Sequence, residues 1–193
     1  KCVILRPATV FGASKSIRFD IVINMLIGMA NTYKKLILNS DGSAMRPFIH
    51  IEDLCNFFYN SIFIKKKFTI INCGFNNFNS SIIEIAKLIS RITKSKITYL
   101  DNNNSSLHKD DLIKNNKDER SYKVDFSLAK KILNISPNNN LKNSIIKTHY
   151  DISKILATNN FESKNFYRLN KMKYLINKNY INTASLRNKN LNK

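Results

Sequence analysis

Glycine, proline, cysteine and acidic residues are all scarce in this chain of 193 residues. Its four glycines, Gly12, Gly28, Gly42 and Gly74, stand too far apart to form a Gly-x-x-Gly-x-x-Gly phosphate loop. Cys2, Cys55 and Cys73 are odd in number, widely spaced and set in apolar runs, which argues against a disulfide framework or a zinc site and suits a reducing cytoplasm. The longest strongly apolar stretch, residues 21–30, is interrupted by Asn24 and is far shorter than the roughly 20 residues that cross a bilayer. No basic, apolar leader opens the sequence. A soluble cytoplasmic protein with no metal site and no membrane partner is expected.

Against only 13 Asp/Glu stand 32 Lys/Arg, a formal net charge of +19. The excess is uneven: residues 1–60 carry 7 basic against 4 acidic residues, a net +3, and residues 61–193 carry 25 against 9, a net +16. The chain also holds 29 Asn and 27 Ile, and Lys, Asn and Ile together are what AT-rich codons produce. No recognition helix, finger spacing or aromatic RNA-binding strand accompanies the charge, so no specific nucleic-acid partner is expected, although non-specific binding at low salt follows from charge alone.

The apolar patterning alternates strand-like and helix-like segments. Residues 2–5 (CVIL) read as a strand buried on both faces, entered without a cap or turn, and Arg6-Pro7 ends it. Residues 19–30 place Ile21, Val22, Met25, Leu26 and Met29 on one helical face with Asn24 as a polar interruption. Short strands are expected at 36–38, 48–51, 68–73 and 97–100, and helices at 54–63, 82–92 and 141–156. Residues 101–119 read as an Asn-rich polar loop. A helix follows Asp125 with Ser127 as its expected cap. The Asn- and Lys-rich tail from Thr158 keeps weak helical spacing, with disorder expected beyond Thr183. This alternation predicts an α/β fold.

Five segments, "LRPATVFG", "RFDIVIN", "DGSAMRPFIHIEDL", "INCG" and "DERSYKVDFSLAKKIL", occur in the order and rough spacing seen in the extended short-chain dehydrogenase/reductases. More narrowly, the sequence resembles the NAD-dependent epimerase/dehydratases that act on nucleotide sugars. The tail "FYRLNKMKYLINKNYIN" resembles the closing helix of one bacterial subgroup. The resemblance implies the C-terminal part of an NAD(P)-binding Rossmann-like fold with a small α/β substrate-binding subdomain. Residues 1–157 would hold the last Rossmann strands and that subdomain, and residues 158–193 the closing helix and tail. It also implies that the Gly-rich loop and a catalytic Tyr-x-x-x-Lys pair lie upstream of residue 1, so that this fragment is inactive alone. Three Tyr-x-x-x-Lys strings do occur, at Tyr150/Lys154, Tyr167/Lys171 and Tyr174/Lys178. All follow the strand that the catalytic pair should precede, and in a chain with 8 Tyr and 25 Lys the pattern arises by chance.

The implied chemistry is a transient oxidation in which a tyrosine removes a hydroxyl proton and the nicotinamide accepts hydride. The implied cofactor is NAD, with NADP as the alternative. The implied ligand is a nucleotide-diphosphate sugar, the assembly a homodimer, and the setting surface-polysaccharide synthesis. By the same resemblance, Pro7 and Ala8 bring backbone against the nicotinamide, and Thr9 stands near the sugar or its phosphate. Asn24 meets the diphosphate or is tied up internally; left unpaired in a core it would cost about 1–3 kcal/mol. Arg46 and Arg120 match a pair that clamps the diphosphate, since planar guanidinium forks suit bidentate phosphate contacts. His50 reads as a core histidine and Asp53 as a helix-start residue favoured by the dipole. Two rival readings remain open: a reductase of a non-nucleotide carbonyl, and a basic non-catalytic binding protein.

Overall fold

The computed structural model describes residues 2–99 and 120–181. In chain order its strands and helices are β1 (Cys2–Pro7), β2 (Thr9–Phe11), α1 (Val22–Tyr33), β3 (Lys35–Leu38), β4 (Met45–His50), α2 (Ile51–Ser61), β5 (Phe68–Cys73), β6 (Asn79–Ser81), α3 (Ile82–Thr93), β7 (Lys96–Tyr99), α4 (Ser127–Leu133), α5 (Leu141–Leu156) and α6 (Arg168–Asn177). A 3-10 turn at Asn76–Phe78 leads into β6. The expected loop at 101–119, the end of the last expected strand at Leu100 and the tail beyond Thr183 lie outside the described residues.

Among the described residues, the strands form three small sheets. β1 pairs with β5 in parallel, from Cys2 opposite Phe68 to Pro7 opposite Cys73. β3 pairs with β7 in parallel. β4 stands between β2 and β6, parallel to the first and antiparallel to the second. Its two neighbours divide its length: Met45–Pro47 face β6, and Phe48–His50 face β2. Pro47, which cannot donate to a ladder, is tolerated where this changeover leaves the strand paired on one side only.

Among the described residues, two apolar clusters form the core. The first joins α1, β3, α3 and α5 through Ile23, Leu26, Ile27, Leu36, Ala86, Ile145 and Ile152. Phe161, Phe166 and Tyr167 of the C-terminal segment pack against the same cluster. The second lies between the β1–β5 sheet and helices α2 and α4, and is built on Ile49, Leu54, Phe57, Ile71, Cys73, Phe78, Phe126 and Ala129.

Helix starts differ from the sequence-based expectation at α1, α2 and α4. α2 runs Ile51–Ser61 rather than 54–63, because His50 ends β4 and caps the helix by accepting the Glu52 N–H, so that Ile51 is helical and not strand. α1 begins at Val22 rather than Phe19, because Phe19 is fully buried between the Phe161 and Phe166 rings while Arg18 and Asp20 form a bidentate pair around it. At α4, Ser127 is the first helical residue and not the cap. The Asp125 carboxylate takes the Ser127 N–H at 3.1 Å and its hydroxyl at 2.6 Å, so Asp125 satisfies the first helical N–H and engages the hydroxyl outside the helix. α3, by contrast, starts on a capping box, with Glu84 N–H donating to Ser81 Oγ and Ser81 N–H to Glu84 Oε2.

Candidate functional site

The carboxyl ends of β1 and β5 lie side by side, and there the chain leaves one sheet for another. Pro7 ends β1 opposite Cys73, Ala8 donates its N–H to the Cys73 carbonyl at 2.9 Å, and Thr9 opens β2 opposite Phe48 of β4. Open α/β sheets bind ligands outside the carboxyl ends of their strands where the connection changes direction, and this is such a place. Ala8 is buried and Thr9 half-buried, so the chain presents little side-chain bulk along this stretch.

Arg46 lies on β4, two residues before the partner of Thr9. Only 8% of it is exposed, unusual for an arginine, and its surroundings explain how it is held. Nη1 donates to the Met45 carbonyl at 2.8 Å and to the carbonyl of Arg120. The guanidinium carbon sits 5.1 Å from the centroid of the Tyr122 ring, a cation–π contact. The structure therefore joins two arginines that are 74 residues apart in sequence, through the guanidinium of one and the backbone of the other. The Arg120 side chain lies at the surface. The contact brings the Arg120 backbone to the Arg46 guanidinium, so both arginines belong to one corner of the fold.

Asn24 is placed differently from these. It is 3% exposed; its Oδ1 accepts from Gly12 N–H at 3.0 Å, and its Nδ2 donates to the carbonyls of Gly12 at 3.3 Å and Arg18 at 3.0 Å. In this geometry the amide braces the loop that follows β2.

His50 caps α2. Its Nδ1 accepts from Glu52 N–H at 3.4 Å and its ring meets Phe11 edge-on at 5.3 Å. Burial holds the imidazole below its ordinary value, against the opposing pull of Glu52 and Asp53. Asp53, 1% exposed, stands in the first turn of α2 and accepts the Asn138 N–H at 2.8 Å through Oδ1. Burial pushes its carboxyl up. Sequence reasoning found the helix-start position but not the Asn138 contact, which spans 85 residues and has no local signal.

The tyrosines of the three Tyr-x-x-x-Lys strings stand in different surroundings. Tyr167 is buried and desolvation pushes its phenol up. Tyr150 and Tyr174 lie at the surface against Lys154 and Lys164.

A pocket of about 230 Å3 opens near the carboxyl ends of β1 and β5, lined by Arg6, Ile70, Asn72, Asp125, Leu128 and Ala129. It is smaller than the roughly 300–1,000 Å3 of typical small-molecule sites.

The fold is that of a Rossmann-like α/β protein. Residues 1–74 match the model of the NAD dependent epimerase/dehydratase family, which bears out, over that span, the resemblance read from the sequence. No curated protein matches the sequence. Among solved structures, the UDP-glucuronic acid 4-epimerase of Bacillus cereus, in complex with UDP-glucuronic acid and NAD, is similar at 23% identity and a TM-score of 0.60, covering 79% of this chain and 45% of that one. The UDP-glucose 4-epimerase of Thermotoga maritima, with UDP-glucose, gives 18% identity and a TM-score of 0.63 over 80% of this chain and 46% of that one. An NAD-dependent NDP-hexosamine 5,6-dehydratase gives 14% and 0.62 over 82% and 46%. At these identities the likeness is one of fold. The chain spans less than half the length of these structures.

Proposed function

We propose that this chain forms the nucleotide-sugar-binding side of an NAD-dependent sugar epimerase or dehydratase, with residues 158–193 as its closing segment. The observation that carries the reading is the meeting of Arg46 and Arg120 beside the carboxyl ends of β1 and β5. Similar folds solved with UDP-sugars and NAD support it.

In this reading Arg46 and Arg120 hold the diphosphate, and the nucleotide and sugar extend to either side. Thr9, on the strand next to Arg46, lies toward the sugar or its phosphate. Asn24 fixes the loop that borders the ligand. The stretch Pro7-Ala8 fits a flat cofactor ring: it is backbone at the end of a parallel strand, with no long side chain to fill the space. Bound there, NAD supplies hydride acceptance and return. Binding energy gained at the remote diphosphate would orient the sugar at the reacting carbon.

Calorimetry with the 193-residue chain tests the reading. The chain should bind the diphosphate UDP more tightly than uridine. Arg46→Ala and Arg120→Ala should each weaken UDP roughly ten- to a hundredfold, the range for losing hydrogen bonds to a charged group. Arg46→Lys should recover only part, because an ammonium keeps the charge but not the planar fork. Two alanine variants that bind UDP as tightly as the parent would refute the clamp.

A further inference from the structure

The segment that carries Arg120 is neither strand nor helix from Arg120 to Phe126, yet it must be held in place if its first residue is to meet Arg46. Met45 fastens one end: its N–H donates to Ser121 Oγ at 3.0 Å, and its carbonyl accepts from Tyr122 N–H at 3.2 Å. Side chains fasten the other. Asn79, on β6, binds the Val124 peptide in both directions: Oδ1 accepts the Val124 N–H at 3.0 Å and Nδ2 donates to the Val124 carbonyl at 3.0 Å. One amide thus stands in for a missing strand neighbour. Asn76, three residues earlier, accepts the Phe126 N–H at 2.8 Å, and Phe126 is buried against Gly74, where a Cβ would lie 2.5 Å from its ring.

From this geometry we infer that Asn79 is a positioning residue for the diphosphate clamp. It acts through another residue: it sets the place of Arg120 relative to Arg46 by fixing Val124, four residues away. The inference rests on the clamp described above. The register of Asn79 makes the link direct: it pairs with Pro47, next to Arg46, while its side chain holds the segment of Arg120. One residue therefore ties both arginines to a common strand edge.

The experiment compares the parent 193-residue chain with Asn79→Ala, Arg120→Ala and the double variant. The readouts are calorimetric affinity for the tighter-binding of UDP and GDP at physiological salt, and amide exchange at Val124. Asn79→Ala should weaken the nucleotide roughly five- to thirtyfold, the equivalent of one to two net hydrogen bonds, and should speed exchange at Val124. In the Arg120→Ala background the same change should cost less than about twofold, because coupled residues are non-additive. Asn79→Asp keeps the acceptor for Val124 N–H but loses the donor to its carbonyl, so it should fall between parent and alanine; it also serves if the alanine variant does not fold. Loss of thermal stability with unchanged nucleotide affinity in the folded Asn79 variants would overturn the inference, as would an equal loss with and without Arg120. If Arg46→Ala and Arg120→Ala themselves leave affinity unchanged, the clamp falls and the inference with it. If they weaken binding and the Asn79 variants do not, only the inference falls.

Discussion

Helices α2 and α3 have similar lengths and both follow a strand of the β2–β4–β6 sheet, but they differ in how they use their apolar residues. α3 has one apolar face: Ile85, Ala86 and Ile89 are buried in the first cluster, while Glu84, Lys87 and Arg91 point to water. α2 has two. Leu54 and Phe57 are buried on the second cluster, and Cys55, Phe58, Tyr59, Ile62 and Phe63, spaced along the other side of α2 and just past its end, are exposed. Phe58, Tyr59, Ile62 and Phe63 each leave more than half of their surface in contact with solvent, and Phe68 at the start of β5 does the same. Among the described residues, β1 has one strand neighbour. The first cluster is thus closed by its own elements, whereas the second is finished on its inner side only. A contiguous exposed apolar stripe is uncommon on isolated soluble domains, while scattered apolar residues are ordinary.

The largest expected effect is in the closed cluster. Phe19 is 0% exposed and packs between two aromatic rings, so Phe19→Ala should destabilise the chain by about 3–5 kcal/mol in denaturant unfolding. The backbone is fastened too, since the Phe19 N–H donates to the Phe166 carbonyl at 3.1 Å, and this bond keeps the cavity from collapsing fully. A cost near zero would show that the C-terminal segment does not close this cluster in solution, and the contrast between the two regions would disappear.

A smaller effect tests the joint between the regions, where His50 caps α2 and touches Phe11. Its imidazole is held below the ordinary value of 6.5 by burial. As pH falls through that value, the unfolded chain takes up a proton that the folded chain refuses, so the stability from this group is complete above it and declines from there toward the lower folded value. His50→Asn keeps a capping acceptor, an amide oxygen in place of Nδ1, and removes the titration. The thermal midpoint of the parent should therefore drop with acid in this window, and the drop should be shallower in the variant. It should not vanish, because burial lowers His149 in the same direction. An unchanged slope would mean that His50 is not held neutral.

Much of this arrangement can be read from the sequence because it is local. β1 and β5 are short, mostly apolar runs and the single face of α3 follows its helical period, but β1 is not buried on both faces as expected: Cys2 and Ile4 are exposed, because among the described residues β1 has β5 alone beside it. β2 and β6 were not anticipated, since three residues carry no period, and each is a strand only because β4 lies beside it. For the same reason β4 begins at Met45 rather than Phe48. At the site, the spacing of residues marks Arg46 as standing at a strand mouth, but its pairing with Arg120 came from family resemblance. No periodicity could reveal a guanidinium meeting a backbone carbonyl 74 residues away, or Asn79 holding Val124 across 45.

The smallest expected effect falls on the open side of α2. Phe58 and Phe63 are 56% and 64% exposed, so replacing both with serine removes little packing, and unfolding stability should stay within about 0.5 kcal/mol of the parent for each. The surface should change far more than the stability. The parent should bind a hydrophobic dye such as ANS in the folded state, through the stripe formed by Phe58, Tyr59, Ile62, Phe63 and Phe68, and the double variant should bind markedly less. Tyr59 and Phe63 form an edge-on ring pair at 5.4 Å, so the second substitution also frees the Tyr59 ring, and a modest stability loss from that contact is included in the range given. Loss of several kcal/mol together with no dye binding by the parent would mean that this face is covered in solution, and that α2, like α3, has no unpartnered side.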